Sequence, residues 1–135
     1  MTESQEILKI ALVHTEGGKV LSTRSKGKEV YFLPGGKPEG SETELETLVR
    51  EIREELDVVL DPARCTWIGE FVAPCYGKPV GWMVRMRCYD SDIATKPVAS
   101  AEIAEVVWLT YSDRPNVSPV DQIIFDWLRN QNLLS

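Results

Sequence analysis

The spacing of apolar residues predicts two helices and several strands. Residues 43–56 carry Leu48, Ile52 and Leu56 with Leu45 and Val49 on the same side, and this i, i+3, i+4 pattern is typical of a helix with one buried face. Residues 119–128 show the same pattern. Short β-branched stretches predict strands at residues 7–14, 19–23, 30–33, 64–75, 80–89 and 105–109.

Turn and cap signals set the boundaries between these elements. Gly17 and Gly18 predict a hairpin turn between the first two strands, and Pro34 with two glycines ends the third. Two capping boxes compete for the start of the first helix: Ser41 with Glu44, and, almost as well matched, Thr43 with Glu46. The chain shows no internal repeat and no low-complexity linker, so we expect one α+β domain over residues 1–135, with a mixed sheet and two helices.

Composition narrows the classes of function. The chain has 135 residues, 15 Lys+Arg against 21 Asp+Glu and a net charge of −6, which argues against nucleic acid and anionic membranes as partners. No apolar run approaches the ~18 residues of a membrane span. The N-terminal sequence MTESQE is acidic and unlike a signal peptide. The odd number of cysteines, without CxxC, favours reduced, buried thiols and a cytoplasmic protein; they are Cys65, Cys75 and Cys88.

The negative charge is concentrated in the first predicted helix and its approach. Residues 37–57 contain eight carboxylates and three cations, which leaves −5 of the total −6 in this stretch. On a helical wheel Glu51, Glu54 and Glu55 fall within about 100° of arc, beside the apolar stripe. Such a cluster suits a hard divalent cation. A solvated helix, stabilised by ion pairs such as Glu46 with Arg50, has the same composition and is the alternative.

The residues around this helix follow a known motif. Gly36, Glu42, the run Arg50-Glu51-Ile52, Glu54-Glu55 and Val58 match the Nudix box, Gx5Ex7REUxEExGU, where U is aliphatic. The sequence therefore resembles the Nudix hydrolase family, and its MutT-type members in particular. One position departs from the motif, since Asp57 replaces its last glycine. This position often turns left-handed at a helix end, and Asp tolerates that conformation better than most residues.

The resemblance implies a fold and a reaction. Nudix enzymes are α/β/α sandwiches, in which a mixed sheet lies between the box helix and a C-terminal helix. They hydrolyse a nucleoside diphosphate linked to another group, X, with Mg²⁺ or Mn²⁺ as cofactor. The most economical function is a (d)NTP pyrophosphatase of MutT type that also accepts oxidised nucleotides. Alternatives are hydrolysis of ADP-ribose, a nucleotide sugar or a capped RNA end, and a non-catalytic binding module.

The resemblance also implies roles for the box residues. Glu54 and Glu55 would be metal ligands together with the carbonyl of Gly35. Glu51 would be a ligand or the base that orients water, and Arg50 would hold the glutamates by ion pairs. Glu42 would support the loop. Further along the chain, Glu102 is expected to be an additional metal ligand or general base, with Glu105 as the alternative.

Expectations for the substrate side rest on weaker signals. Arg24 matches a position where MutT-type members hold phosphate, and Gly36 leaves room for a ligand at the backbone. Arg85 and Arg87 share one face of a strand and are expected to meet phosphate or solvent. Asn116 resembles the purine-reading asparagine of 8-oxo-dGTP hydrolases. Three aromatic residues are candidates for a base slot, and two tryptophans are either core or a homodimer interface: Tyr76, Trp82 and Phe71, and Trp108 and Trp127.

Overall fold

The computed structural model describes residues 5–135, so the first four residues of the acidic N-terminus lie outside the described residues. Its strands are β1 (Gln5–Leu12), β2 (Thr15–Glu16), β3 (Lys19–Ser25), β4 (Gly35–Gly36), β5 (Thr66–Pro74), β6 (Trp82–Asp90) and β7 (Ile103–Leu109). Its α-helices are α1 (Glu44–Leu56) and α2 (Pro119–Asn130), and short 3-10 helices span Pro62–Arg64 and Tyr111–Asn116.

The strands form two sheets rather than the one sheet expected from the sequence. The first sheet has the order β4-β1-β6-β5 and is mixed, because β1 runs parallel to β6 while its other pairs are antiparallel. The second sheet, β2-β3-β7, is antiparallel. The division arises because β3 pairs with β7 instead of β1, so that the predicted glycine hairpin joins β3 only to the two-residue β2.

Helices cover both faces of these sheets, as the sandwich prediction requires. Alternate residues of a strand point to opposite faces. In β1, Ile10 and Leu12 belong to the core that contains α1, whereas Ala11 belongs to the core that contains α2. The sheets therefore lie between the two helices, which confirms the predicted architecture.

Helix α1 begins and ends at defined caps. The Thr43 hydroxyl accepts the Glu46 N–H and the Glu46 carboxylate accepts the Thr43 N–H, so the capping box predicted at Ser41 is wrong and the alternative one forms. Leu48, Ile52 and Leu56 are fully buried along one side. Asp57 is left-handed, with φ 55° and ψ 39°, as expected for the residue that replaces the box glycine.

Residues 30–33, which were predicted as a third strand, instead form single bridges to two different parts of the fold. Phe32 forms an isolated bridge with Thr23 of β3, and Tyr31 forms one with Val117 before α2. Just beyond, the Pro34 carbonyl accepts the Leu12 N–H. Because successive residues pair with different elements, no continuous ladder develops. The sheet contact expected at 30–33 is made by Gly35 and Gly36.

The buried fractions of the cysteines correct one prediction, and those of two tryptophans bear on another. Of the three cysteines expected to be buried, Cys88 is fully buried, whereas Cys65 and Cys75 are half-buried; all are free thiols. Trp108 and Trp127 are half-buried, each packed against one of the two cores. Across residues 5–135, every helix is too short or too polar to cross a membrane.

Candidate active site

Two glycines bring the loop before α1 close to both β1 and the helix. A Cβ on Gly35, where φ is +149°, would overlap the Ile10 carbonyl oxygen. A Cβ on Gly36 would lie 2.5 Å from the carboxyl carbon of Glu51. Gly35 therefore requires glycine, whereas a side chain at Gly36 would displace the Glu51 carboxylate, which packs directly against the loop backbone.

Arg50 organises the acidic residues around it. Its guanidinium donates to Glu42 at 2.7 and 3.0 Å, to Glu51 at 2.7 Å and to Glu54 at 3.4 Å. It also donates to the backbone carbonyl of Lys37 at 3.0 Å, which ties the loop to the helix. Bidentate guanidinium contacts of this kind fix both partners in orientation. Arg50 is thus engaged within the protein and holds carboxylates in place.

Glu42 is the loop carboxylate most firmly held by these bonds. The Arg50 guanidinium is the main cause that lowers the pKa of Glu42 to about 2, with help from the Glu39 N–H and the Thr47 hydroxyl. Glu42 therefore stays ionised throughout the physiological range. This geometry is that of a structural anchor for the loop.

Glu55 occupies the least solvated position among the box carboxylates. Its Oε1 accepts the Gly35 N–H at 3.1 Å. Burial raises the pKa of Glu55, and the neighbouring Glu51 carboxylate raises it further. Glu51 is 16% exposed, whereas Glu54 is 53% exposed. Two largely buried carboxylates close together favour the binding of a cation, because it offsets their mutual repulsion.

The donor set fits Mg²⁺ or Mn²⁺. Oxygen ligands from carboxylates and a backbone carbonyl are the type that these hard cations take. Within residues 5–135, no three His, Cys, Asp or Glu side chains already converge into a cage. Glu51 and Glu54 point oxygens towards Arg50, while Glu55 is bound to Gly35. The carboxylate oxygens outside these contacts are the ones available to a metal.

A cleft of about 350 Å³ opens beside these residues. Glu55, Gly35 and Gly36 line one part of it. The cleft has one carboxylate side chain, Glu55, and four ammonium groups in its lining: Lys9, Lys28, Lys37 and Lys78. In a chain of net charge −6 this local excess of positive charge is an electrostatic match for a polyanion.

Aromatic side chains form another part of the cleft. Phe32 and Tyr76 make an edge-to-face pair with ring centroids 6.1 Å apart. The Lys9 ammonium lies 5.5 Å from the centroid of the Phe32 ring. A recess of about 30 Å³ continues from here, lined by Lys9, Phe32, Tyr76 and Met86 among others. Of the predicted base-slot candidates, Tyr76 lies in the cleft, whereas Phe71 packs on Trp127 and Trp82 under Lys78.

The segment that carries Glu102 is attached to the C-terminal end of α1. The Val98 N–H donates to the Leu56 carbonyl at 2.8 Å, and the Ser100 N–H donates to the Glu55 carbonyl at 3.0 Å. Glu102 follows two residues later and is exposed. The backbone thus fixes the Glu102 turn close to the end of the box helix.

Arg24 and Glu105 bind each other rather than pointing into the cleft. The Arg24 Nε donates to Glu105 Oε1 at 3.1 Å, and the Tyr31 hydroxyl donates to the same oxygen. The Arg24 guanidinium also donates to the Lys28 carbonyl. These hydrogen bonds lower the pKa of Glu105, with the Tyr31 bond as the largest cause. Neither side chain belongs to the cleft lining.

Of the other predicted substrate residues, Gly36 lines the cleft, whereas Arg85, Arg87 and Asn116 lie outside its lining. Arg85 is paired with Glu6 at 2.8 Å and Glu70 at 2.6 Å. Arg87 pairs with Glu70 at 2.7 Å and its guanidinium stacks 4.5 Å over the Trp67 ring. Their strand face is therefore occupied by ion pairs. Asn116 ends a 3-10 helix, and its backbone carbonyl accepts the Tyr31 N–H.

The sequence analysis missed the lysines and Phe32 of the cleft. Lys28, Lys37 and Lys78 stand in loops, where a single exposed lysine carries no positional signal. Phe32 was assigned to a strand. Lys9 did carry a signal, since it interrupts the apolar alternation of β1 between Ile7 and Ala11.

Comparison with known proteins identifies the family to which this arrangement belongs. The family model for the NUDIX domain matches residues 9–129. The chain belongs to the Nudix family. This confirms the resemblance inferred from the box, and with it the expectation of a hydrolase.

Individual relatives agree with this assignment. A protein from Halorhodospira halophila described as RNA pyrophosphohydrolase is 28% identical, with 84% of this chain and 68% of that protein covered. The MutT protein of Methanosarcina mazei superposes with a TM-score of 0.76 at 18% identity, over 98% of this chain and 99% of that chain. A Nudix hydrolase family member from Chromobacterium violaceum gives a TM-score of 0.75 at 19% identity, over 96% and 80%. The two structures show that the Nudix fold is shared.

Proposed function

We propose that this Nudix protein is a metal-dependent hydrolase of nucleoside diphosphates linked to X, and that (d)NTPs, including oxidised ones, are its substrates, as in MutT-type enzymes. Residues 1–135 would act as one catalytic domain. The observation that carries the proposal is the cleft, where four lysines and an aromatic pair lead to the carboxylate of Glu55. A nucleotide has the matching parts, a polyanionic chain and a flat base.

In this proposal the box residues hold the metal and the attacking water. Glu51, Glu54, Glu55, Glu102 and the Gly35 carbonyl would hold Mg²⁺ or Mn²⁺. When bound, the cation supplies neutralisation of the phosphoryl oxygens and a lower pKa for the attacking water.

The protein side chains supply orientation and proton transfer. Arg50 keeps Glu51 and Glu54 oriented, and Glu42 keeps Arg50 in place. A carboxylate, either Glu51 or Glu102, takes the proton of the water as its oxygen bonds to phosphorus and the anhydride P–O bond breaks. For a triphosphate, the products are a nucleoside monophosphate and pyrophosphate.

A second candidate substrate is the 5′ end of an RNA. The Halorhodospira halophila relative is described as an RNA pyrophosphohydrolase, and a triphosphorylated RNA end presents the same phosphate chain as a free nucleotide. The net charge of −6 argues against a long RNA contact. We therefore place the free nucleotide first.

The test is substitution of Glu54 with a matched control on the same helix. Glu54→Gln removes a charged metal ligand from a half-exposed side chain, so we expect loss of metal-dependent turnover with a nearly unchanged melting temperature. Glu46→Gln is the control, because glutamine preserves the capping box and Glu46 is given no metal role.

The assay measures hydrolysis of dNTPs, 8-oxo-dGTP, ADP-ribose, nucleotide sugars and 5′-triphosphorylated RNA with Mg²⁺ and with Mn²⁺. Release of monophosphate and pyrophosphate from a dNTP supports the first candidate. Faster turnover of the RNA supports the second. A Glu54→Gln protein with the wild-type rate at saturating Mg²⁺ would contradict the ligand assignment.

A further inference from the structure

Lys9 is a charged residue between two apolar neighbours on one face of β1. Residues two apart on a strand share a face, so Lys9 lies on the same side of β1 as Ile7 and Ala11. These two neighbours are 8% and 1% exposed. Across the sheet Lys9 is paired in register with Met86, which is 3% exposed. A lysine in such surroundings loses hydration, and this cost calls for a compensating interaction.

The described part of the protein supplies it only at longer range, since the buried Glu55 and Asp121 carboxyls act electrostatically on the Lys9 ammonium without a direct ion pair. None of the ion pairs found within residues 5–135 involves Lys9. Its ammonium instead lies 5.5 Å from the centre of the Phe32 ring and lines both the cleft and the recess behind it. The ammonium therefore lies where a ligand in the cleft can accept a hydrogen bond from it.

Lys9 is more deeply buried than the other three lysines of the cleft. Lys28, Lys37 and Lys78 are exposed, whereas Lys9 is half-buried. The recess contains Lys9, Phe32 and Tyr76, and the box residues Gly35, Gly36 and Glu55 line the main cleft without reaching the recess. When the phosphates lie beside the box, the aromatic part beside Lys9 is left for the base. The recess, at about 30 Å³, accepts a single exocyclic group.

We propose that Lys9 determines base specificity by selecting nucleotides whose base presents a carbonyl oxygen. The proposal rests on the function proposed above. An ammonium has three donors and no acceptor. Guanine and thymine or uracil present carbonyl oxygens at the edge where adenine and cytosine present amino donors. If an amino group of the base faced Lys9, both that amino group and the ammonium would be donors without an acceptor, so adenine and cytosine are disfavoured.

The test compares bases of equal size that differ at this edge. For the wild-type protein we expect kcat/KM to be about 10- to 100-fold higher for dGTP than for dATP, and for dTTP than for dCTP. Lys9→Met keeps an unbranched apolar stem and removes the donor, so both ratios should fall to within about threefold. Lys9→Arg restores a donor and should restore the preference.

Lys78→Met serves as the matched control within the cleft. Because Lys78 is exposed at its mouth, its loss should lower kcat/KM for all four nucleotides equally and leave the ratios intact. Dissociation constants of the α,β-methylene analogues of dGTP and dATP give the same comparison without turnover. A wild-type protein without carbonyl preference, or a Lys9→Met protein that loses all four activities equally, overturns the proposal.

Two further arms separate this proposal from the one on which it rests. If no nucleotide is hydrolysed, the proposed reaction fails, while the binding ratio of the analogues still supports or overturns the role of Lys9. Triphosphorylated RNAs that begin with G or with A test whether the recognised base belongs to an RNA 5′ end instead of a free nucleotide. A guanine preference in either set supports the proposal, and the set with the higher kcat/KM identifies the source.

Discussion

Glu102 and Glu105 lie three residues apart and have opposite surroundings. Glu105 Oε1 accepts from both Arg24 and Tyr31, and so its carboxylate is committed to holding β3, β7 and the 30–33 segment together. Glu102 is exposed on a turn fixed to the end of α1. This contrast favours Glu102 as the additional catalytic carboxylate.

Substitution of each glutamate tests this assignment. Glu102→Gln should lower kcat by about 10²- to 10⁴-fold, the usual contribution of a general base, without changing stability. Glu105→Gln should cost about 1 kcal/mol of unfolding free energy through weaker hydrogen bonds and leave kcat within a few-fold. Steady-state kinetics and thermal unfolding of both variants provide the measurements. The reverse ranking of kcat would move the catalytic role to Glu105.

At the same scale, the sequence predicted the relative placement of some charged residues and not that of others. The box glutamates were predictable because helical periodicity places Glu51, Glu54 and Glu55 on one stripe whatever the rest of the fold does. The partners of Arg24 and Arg85 were not, because their carboxylates come from distant positions, Glu105 and Glu70. Long-range pairs of this kind depend on strand register, which a single sequence does not specify.

Two residues that lie two positions apart could each cap the N-terminus of helix α1. Ser41 and Thr43 both precede a glutamate by three residues, and only Thr43 forms the capping box. Glu42 lies between them and before the helix, and its carboxylate accepts hydrogen bonds from Arg50 and from the Glu39 N–H. The requirement to anchor the loop thus delays the start of the helix until Thr43.

Alanine substitution at the two positions checks this account. Thr43→Ala should lower the free energy of unfolding by about 1 kcal/mol, since it removes the side-chain acceptor for the Glu46 N–H. Ser41→Ala, the matched control two residues earlier, should change it by less than about 0.5 kcal/mol. Chemical denaturation of both variants measures the difference. Equal losses at both positions would be inconsistent with the cap at Thr43.

Elements with regular periodicity were predicted from the sequence, and those without it were not. The segment around Tyr31 and Phe32 is β-branched and aromatic enough to indicate a strand, but its partners are Thr23 and Val117 in different parts of the fold. The local sequence predicts an extended backbone but does not predict which segment it pairs with. The aromatic part of the cleft depends on that pairing, which explains why Phe32 was missed.

For the molecule as a whole, His14 links the two sheets. Its Nδ1 lies 2.9 Å from Asp90 at the end of β6, and its Nε2 lies 2.8 Å from Glu16 in β2. The hydrogen bond with Asp90 is the main cause that raises the pKa of His14. The protonated ring therefore binds both sheets more strongly than the neutral ring does.

The raised pKa gives stability a defined pH dependence. A histidine whose pKa is higher in the folded state contributes its full stabilisation below about pH 6.5, its unfolded value, and loses it as the pH rises through the folded value. We expect His14→Gln to be destabilised relative to wild type by about 1 kcal/mol near pH 5.5 and by less near pH 9. Urea denaturation at both pH values measures this. A difference that grows with pH would contradict the assignment, and Asp90→Asn should flatten it.

The bonds that hold residues 31–36 have a consequence for the thermodynamics of ligand binding. Residues 31–36 are bonded to β3, to the turn before α2 and to β1, so Phe32 and the glycine loop are both held from several sides before any ligand arrives. A slot that is already ordered gives up little conformational entropy when it closes around a flat ring. The entropic cost of association then falls mainly on the flexible lysines at the mouth and on the ligand, whose phosphate chain loses its rotational freedom.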